Sequence, residues 1–431
     1  MTERAGNGAS GPGSPGGYGT TASYAIPKWP VLSGASFRWR PFTPRPSSVL
    51  DGREIHPVNL ARGALETILE LLRLKPGDQV LLPAYHCLSM LHPVLRANAV
   101  PAFYGIGPDT RIDPDELRRC IGARTRAVVA PHFFGFHQPM AALRSVCDEY
   151  GIILIEDCAH AYFGSLGDNR PVGSTGHFAI ASPWKFLPVM EGGELIVNDY
   201  PAGNPDLPST GIRGDAKELL NMVERSLQYG RLRALGGLFG PLFGLAARRR
   251  ASPAGGASPA GDAAPVSAAP GRADPDSEIR PRRMTRTARL IIRHSNFRRA
   301  VERRRAHYRR LAEAWQDLQG AWPLHDVLPD GVVPQCFPLV VLHHQAVTRA
   351  LKAVRVPVVR FAEHPWEGMD PDTCGNAAFL SCRTFQFPCH QELTADELEW
   401  LAETVKRIVN GTAPDPPTHI GPTWTNRRPF Q

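Results

Sequence analysis

The feature that most constrains the fold of this chain is an alternation of short apolar runs with amphipathic stretches across residues 59–197. The apolar runs cover residues 80–85, 100–106, 127–134, 152–159, 178–182 and 194–197. Residues 61–74, 87–98, 114–121 and 140–150 carry apolar side chains at helical spacing. Strands without polar alternation are buried on both faces, and the connecting helices cover those faces. The sequence therefore predicts an α/β domain with a mainly parallel sheet flanked by helices.

Low-complexity sequence divides the chain into two predicted domains. Residues 251–277 are rich in Pro, Ala, Gly and Ser and cannot bury enough apolar surface to offset their ordering entropy. The predicted parts are a partly disordered N-terminal arm at 1–45, a large α/β domain at 46–248, a disordered insertion at 249–282, a smaller C-terminal α+β domain at 283–410 and a tail at 411–431. In the smaller domain the pattern predicts a long arginine-rich helix over 285–318, a strand over 337–342 and a helix over 395–408.

The net charge of +8 comes from one segment of the chain. Residues 280–310 contain 13 arginines and one acidic residue, Glu302, a balance of +12 that leaves the rest of the chain at about −4. The segment lacks the interleaved aromatic side chains that stack on bases. A solvated helix face therefore explains the run better than a nucleic-acid groove, and we expect no nucleic-acid partner. Attraction of a phosphorylated substrate or an anionic surface stays open.

The length of the apolar stretches and the spacing of the cysteines argue against a membrane-spanning protein and a zinc-binding protein. The longest apolar stretch, residues 234–247, has 14 residues and contains Pro241, so it is too short for a membrane span. Flanking arginines would allow a membrane-surface contact, but a partly buried loop or short helix is favoured. The eight cysteines are never closer than seven positions, which argues against a zinc ribbon; we expect no metal and a reducing, cytoplasmic compartment. The Gly/Ser-rich N-terminus is not predicted to be a secretory signal.

Three features that can carry chemistry lie where open α/β sheets bind ligands, at the carboxyl ends of strands and the starts of helices. Asp157 ends an apolar run and is either functional or a solvated helix cap. Lys185 follows another run in a turn bounded by prolines, where burial would make its amine nucleophilic, although most lysines are surface groups. Gly63 and Ala64 start the first helix, where backbone N–H groups can hold a phosphate.

Together these features indicate pyridoxal 5'-phosphate. The cofactor needs an amine for its aldehyde, an anion site for its phosphate and a carboxylate on its ring nitrogen to keep the electron sink protonated. Lys185 follows Asp157 by 28 residues, Ser182 stands close before it, and Glu191-Gly192-Gly193 follows.

The chain resembles the DegT/DnrJ/StrS family of aminotransferases, within the fold-type-I class of pyridoxal-phosphate enzymes. The resemblance rests on residues 61–65 (Ala-Arg-Gly-Ala-Leu), 77–83 (Gly-Asp-Gln-Val-Leu-Leu-Pro), 108–114 and 155–160 (Ile-Glu-Asp-Cys-Ala-His). It covers residues 59–199 well and the C-terminal domain more loosely, through residues 337–339 and 387–391. It implies a fold-type-I transferase with a large domain and a smaller C-terminal α+β domain.

The resemblance also implies roles for individual residues. Asp157 would pair with the pyridine nitrogen, and His160, usually Gln in the family, would approach the ring hydroxyl. Lys185 would bind the cofactor covalently. The phosphate would be held by Arg62, Gly63 and Ser182, and either Tyr85 or His86 would stack on the ring. Two departures stand out: Arg62 replaces a Thr or Ser, and Ser182 lies nearer the lysine than usual.

The function that the resemblance implies is transamination by a homodimer. The acceptor would be a keto-sugar nucleotide or related keto compound in polysaccharide or secondary-metabolite biosynthesis, and the donor an amino acid such as glutamate. Two alternatives stay open. One is dehydration, elimination or racemisation with the same cofactor; sugar dehydratase relatives replace the lysine with His, so Lys185 favours transamination. The other is a non-catalytic regulatory or assembly protein with the same fold.

Overall fold

The computed structural model describes residues 25–37, 44–52, 54–201, 203–232, 280–364, 366–370 and 373–412. The apolar stretch at 234–247, most of the insertion predicted at 249–282 and most of the tail lie outside the described residues. Residues 280–282, the end of that predicted insertion, lie against the large domain, where the Asn59 N–H donates to the Arg282 carbonyl at 2.8 Å. The domain boundaries stay predictions.

The large domain is built on a seven-stranded sheet. Its strands are β1 (Glu54–Val58), β2 (Gln79–Pro83), β3 (Val100–Tyr104), β4 (Thr125–Pro131), β5 (Ile153–Cys158), β6 (Phe178–Ala181) and β7 (Gly193–Val197). Their order is β1-β7-β6-β5-β4-β2-β3, and only β7 runs against its neighbours. The five adjacent strands β6, β5, β4, β2 and β3 are therefore parallel to one another. Their carboxyl ends meet at one edge of the sheet.

Helices cover both faces of this sheet. The helices of the described residues are α1 (Ala61–Leu71), α2 (Leu88–Arg96), α3 (Pro114–Cys120), α4 (Met140–Glu149), α5 (Gly211–Gln228), α6 (Arg286–His294), α7 (Phe297–Ala314), α8 (His344–Ala353), α9 (Gly375–Arg383) and α10 (Ala395–Gly411). In β2, Val80 and Leu82 pack into the core under α1 and α2, while Leu81 packs into the core under α3 and α4. Successive strand residues point to opposite faces, so both must be apolar. The α/β fold predicted from the sequence is confirmed.

A second, smaller sheet follows in the C-terminal part of the chain. It consists of β8 (Ala321–Pro323), β9 (Phe337–Val341), β10 (Val359–Arg360) and β11 (Thr384–Phe387), in the antiparallel order β10-β11-β9-β8. Helices α7 to α10 pack against it and share the core cluster under α3 and α4. Within the described residues, no helix combines the length and hydropathy needed to cross a bilayer.

Several elements of the structure differ from the sequence predictions. The strands β1, β8, β10 and β11 and the helices α5, α8 and α9 were not predicted. The helix predicted over 285–318 is two helices, since Ser295 is extended (φ −64°, ψ 148°) after α6. The Asn296 side chain then accepts a hydrogen bond from the Arg299 N–H and caps the start of α7.

Among the described residues, four arginines of the basic segment form ion pairs with acidic side chains outside it: Arg282, Arg299, Arg305 and Arg310. Arg299 pairs with Glu392, and Arg310 pairs with Glu399 on α10. Helix α6 packs on the large domain, with Ile292 in the same cluster as Tyr162 and Phe186. The local excess of positive charge therefore serves in part to hold α7 against the C-terminal elements.

Candidate active site

A cavity of about 420 Å³ opens at the carboxyl ends of β4, β5 and β6. Its polar side chains from the large domain include Arg62, His92, His132, Asp157, His160, Ser182 and Lys185. Five of the eight residues predicted to bind the cofactor, namely Arg62, Asp157, His160, Ser182 and Lys185, thus lie around one space. Gly63, Tyr85 and His86 do not line it.

Lys185 is placed by a short 3-10 turn, Pro183–Lys185, directly after β6. Gly192 supports this turn: its φ of +149° disfavours other residues, and a Cβ there would come within 2.6 Å of Cγ of Pro183. The Nζ atom of Lys185 lies 5.7 Å from the centroid of the Trp184 ring. Burial lowers the pKa of Lys185, and the nearby Cys87 and Asp157 act in the opposite direction. The site therefore favours the neutral, nucleophilic amine more than water does.

Asp157 lies at the end of β5, one strand away from the lysine. Its Oδ1 accepts the Ala159 N–H at 2.8 Å. Burial raises the pKa of Asp157, while this hydrogen bond, Lys185 and His132 act to lower it. The carboxylate and the lysine line the same cavity without forming an ion pair with each other. A ligand between them that offers a cationic N–H would compensate the buried carboxylate.

The N-terminus of α1 closes another side of the cavity. The first intrahelical bond runs from the Ala64 N–H to the Leu60 carbonyl at 3.1 Å, so the three preceding N–H groups have no acceptor within the helix. Leu60 stands at the N-cap and has no polar side-chain atom to accept them. Ala61 and Arg62 line the cavity beside this end. A helix N-terminus with an adjacent guanidinium is suited to bind a phosphate group.

Gly63 lies behind the cavity wall instead of in it. A Cβ at this position would come within 2.9 Å of Oδ1 of Asn59 and 3.3 Å of Cγ1 of Val58. The glycine allows the start of α1 to pack closely on β1 and the segment after it. The Cα of Gly63 therefore faces the core. Its backbone N–H is still one of the three N–H groups at the start of α1 that have no acceptor within the helix.

Neither residue predicted to stack on the ring faces the cavity. Tyr85 is fully buried among aromatic rings, 5.3 Å from Phe133 and 5.0 Å from Phe361 between centroids. His86 is also fully buried and stacks on Phe103 at 4.9 Å. The prediction of a ring contact from one of them is therefore not supported by this geometry, because packing turns both side chains into the core.

His160 reaches the cavity from the loop after β5. Its Nδ1 accepts the Phe134 N–H at 3.3 Å, and its ring lies nearly parallel to the Phe134 ring at 5.9 Å. Burial and the nearby Lys185 lower the pKa of His160 well below its ordinary value. With Nδ1 accepting, the neutral ring carries its proton on Nε2, which can donate to a ligand oxygen.

His132, which lines the cavity, forms a buried pair with Glu156 that was not predicted. The His132 Nδ1 accepts the Gln138 N–H at 3.0 Å, so its Nε2 carries the proton and donates it to Glu156 at 2.8 Å. Backbone N–H groups of Gly173, Thr175 and Gly176 also donate to the Glu156 carboxylate. These donors lower the pKa of Glu156 although it is fully buried. The carboxylate fixes both His132 and the loop that leads into β6.

Glu156→Gln should lower the free energy of unfolding at pH 7 by about 1.5–3 kcal/mol, the usual value of a hydrogen bond to a charged group. The amide NH₂ would face backbone N–H donors in place of an acceptor oxygen. Because the folded-state pKa of Glu156 is depressed, its stabilisation is present above the ordinary glutamate pKa of about 4.3 and is lost as the pH falls. Urea unfolding at pH 7 and pH 4 should therefore show a smaller difference between variant and wild type at pH 4. An equal difference at both pH values would contradict this account.

The small domain supplies the remaining wall through residues 360–364. Arg360 forms an ion pair with Glu363 at 2.9 Å, and Phe361 packs its ring against His160 at 5.3 Å. Ala362 has a positive φ of 56°, which is uncommon for a residue with a side chain. This wall lies about two hundred residues after Asp157 and Lys185 in the chain. No local sequence pattern marks it.

These groups fit the chemical demands of pyridoxal phosphate. Lys185 offers an amine made nucleophilic by burial, and Asp157 offers a buried carboxylate that forms no ion pair with any described residue. The helix start with Arg62, and Ser182 nearby in the cavity wall, provide donors for a phosphate. The cavity lies between the amine and these donors.

The sequence model of the DegT/DnrJ/EryC1/StrS aminotransferase family matches residues 55–202. The predicted family resemblance is confirmed. The matched segment holds β1 to β7, the start of α1, Asp157 and Lys185.

Curated relatives match about a third of the chain. An L-glutamine:2-deoxy-scyllo-inosose aminotransferase from Streptomyces kanamyceticus is 34% identical over 146 residues, which cover 33% of this chain and 34% of the relative. The GDP-perosamine synthase of Vibrio cholerae is 30% identical over 148 residues, 33% of this chain and 40% of the synthase. The chain thus spans well under half the length of these relatives.

Solved structures resemble the chain over a longer stretch. The aminotransferase TlmJ from Streptoalloteichus hindustanus superposes with a TM-score of 0.58 at 21% identity, covering 83% of this chain and 86% of TlmJ. A putative sugar aminotransferase from Streptococcus pneumoniae, in its PMP form, gives a TM-score of 0.60 at 17% identity, with coverage of 84% and 89%. At this identity the likeness establishes the fold alone, and it covers more of the chain than the family match does.

Proposed function

We propose that this protein is a pyridoxal-phosphate-dependent aminotransferase that moves an amino group from an amino acid to a keto sugar or a related keto compound. The observation that carries the proposal is the pairing of Lys185 and Asp157 in one cavity, close enough to influence each other's pKa but not joined in an ion pair. The start of α1, which is suited to bind a phosphate group, lies in the same wall. The match of residues 55–202 to an aminotransferase family supports the same reaction class.

In this proposal each residue around the cavity has a separate role. When bound, pyridoxal phosphate supplies an electron sink for negative charge that develops at the α-carbon of the amino donor. Asp157 holds a proton on the ring nitrogen through a charge-assisted hydrogen bond. The start of α1, Arg62 and Ser182 hold the phosphate, and His160 donates from Nε2 to the ring hydroxyl. The Lys185 amine would hold the cofactor covalently; once the amine of the donor has replaced it on the cofactor, the freed Nζ could act as general base and accept the α-proton of the donor.

The substrate class is drawn from the relatives. Their names specify an amino-inositol precursor and a GDP-linked amino sugar as acceptor or product. A keto-sugar nucleotide or cyclic polyol ketone is therefore the proposed acceptor, and glutamate or glutamine the proposed donor. A homodimer in a reducing, cytoplasmic compartment belongs to the same proposal. All eight cysteines are free.

The first half of the reaction can be tested without the acceptor. Protein reconstituted with pyridoxal phosphate should convert L-glutamate or L-glutamine to the corresponding 2-oxo acid, at most once per site, and a keto acceptor should then restore turnover. The 2-oxo acid is measured by mass spectrometry. Loss of water from a sugar substrate without formation of a 2-oxo acid would favour the dehydratase alternative. Cofactor binding without conversion of any donor or acceptor would favour the non-catalytic alternative.

A further inference from the structure

Arg304, in the middle of α7, is a fully buried arginine next to the turn that carries Lys185. Its guanidinium lies over the Phe186 ring, 4.6 Å from the centroid. Within the described residues it forms no ion pair with a carboxylate. Burial lowers the pKa of Arg304 to about 10, which leaves it charged at neutral pH. A buried cation without a paired anion is costly unless hydrogen bonds compensate it.

The hydrogen bonds of Arg304 account for all five of its N–H donors. Nε donates to the Gln391 side-chain oxygen at 3.0 Å. One terminal nitrogen donates to the carbonyls of Pro334 at 3.2 Å and Gln335 at 2.9 Å. The other donates to the carbonyls of Lys185 at 2.9 Å and Phe186 at 3.3 Å. The planar guanidinium group thus donates hydrogen bonds to five oxygens from three separate chain segments.

These three segments belong to different parts of the fold. Lys185 and Phe186 form the end of the turn after β6, while Pro334 and Gln335 precede β9 of the smaller sheet. Gln391 follows β11, and its Nε2 donates to the Phe186 carbonyl at 2.7 Å, which closes a second link to the same turn. Arg304 and Gln391 therefore tie the main chain at the lysine to the small domain.

We propose that Arg304 is a positioning residue for Lys185, and the role in catalysis rests on the proposed function above. A lysine side chain has several rotatable bonds, so the position of its amine depends on a fixed main chain at its root. A reacting group displaced by about 1 Å can lose on the order of 10²-fold in rate. The buried guanidinium fixes the Lys185 and Phe186 carbonyls without touching the cavity, because Arg304 does not line it.

The main-chain clamp can be tested in the protein without cofactor. Arg304→Met removes all five donors and keeps the length of the side chain, and Arg304→Lys keeps the charge but not the fork. Arg310→Met on the same helix is the matched control, because Arg310 is partly exposed and pairs with Glu399. Hydrogen exchange of the peptide containing Lys185 should rise in both Arg304 variants, more in the methionine variant, and stay unchanged in the control. Unchanged exchange in a folded Arg304→Met protein would overturn the clamp.

The effect on the lysine amine has its own measurement. After reconstitution with pyridoxal phosphate, the rate constant for formation of the borohydride-reducible adduct should fall by about tenfold to a hundredfold in Arg304→Met, with partial recovery in Arg304→Lys. The pH midpoint of the visible band should shift with it, whereas loss of stability alone would leave both unchanged in the folded fraction. A wild-type rate and midpoint would overturn the positioning role.

A second variant covers the case in which Arg304→Met does not fold. Gln391→Met removes the hydrogen bond to the Phe186 carbonyl and should show the same changes at smaller size. Absence of these changes would also overturn the positioning role. Failure of the wild type to form any adduct would instead contradict the proposed function.

Discussion

Lys185→Ala should abolish the covalent link to pyridoxal phosphate and lower transamination by about 10²–10⁴-fold or more, the usual contribution of a general base. The reason is that the cofactor aldehyde needs a primary amine, and among the described residues Lys185 is the lysine that lines the cavity. Purified wild type with cofactor should show a visible absorption band. Borohydride should remove that band and leave a modified peptide that contains Lys185. The variant should show neither the reducible adduct nor the modified peptide.

Two controls separate loss of the amine from general damage. Lys217→Ala changes an exposed lysine on α5 and should keep the adduct and the activity. Lys185→Arg keeps a cation and most of the volume but has a guanidinium that is not nucleophilic at neutral pH, so it should fail like the alanine variant. A reducible adduct that persists in Lys185→Ala would show that another residue carries the cofactor.

The sequence was sufficient to predict Asp157 and Lys185 because both lie directly after buried parallel strands. Such strands are continuous apolar runs, and their carboxyl ends meet at one edge of the sheet. A charged residue that ends one of these runs therefore marks that edge. The same rule would have found His132, which follows β4, but the apolar run was extended to Phe134 and included it. The residues 132–134 leave the strand because a 3-10 turn, Phe133–Gly135, begins there.

The orientation of side chains after a strand could not be predicted in the same way. Tyr85 and His86 follow β2, and both type and position suited a ring contact. In the structure, Phe361 from the small domain and Phe103 from the adjacent β3 pack against them and hold them in the core. The contact between Tyr85 and Phe361 joins residues far apart in the chain. The wall at residues 360–364 and the links of Arg304 escaped prediction for the same reason.

A single polar residue, Asn296, divides the long helix predicted over residues 285–318 into two helices. The apolar period continues through the arginine-rich segment, so a single helix was predicted there. The side chain of Asn296 competes with the helical bond by accepting the Arg299 N–H, and the Asn296 N–H instead donates to the Ser36 carbonyl at 2.8 Å. That contact with the N-terminal segment favours a new helix start over a continuous helix.

Asp157→Asn is the second prediction with a large expected effect, and it should separate activity from stability. Asn keeps the shape of the side chain, and its oxygen can still accept the Ala159 N–H. Because burial raises the pKa of Asp157, the native site disfavours the charged carboxylate when no cofactor is bound. The free energy of unfolding without cofactor should therefore stay equal or rise at pH 7. Asp168→Asn, at an exposed turn where Asp168 pairs with Arg170, is the matched control.

Transamination by Asp157→Asn should fall by at least about tenfold to a hundredfold, since a hydrogen bond to a charged group contributes about 1.5–3 kcal/mol. A further decrease follows because an unprotonated pyridine ring is a weaker electron sink. The rate of 2-oxo acid formation from the amino donor isolates this step, and the extent of cofactor binding is measured in the same samples. If Asp157 served only to cap the loop after β5, Asn would replace it at little cost, because Asn caps about as well as Asp. A near-normal rate in the variant would then remove the basis for placing the ring nitrogen at Asp157, whereas a slow variant with intact fold and bound cofactor ties the carboxylate to the chemistry.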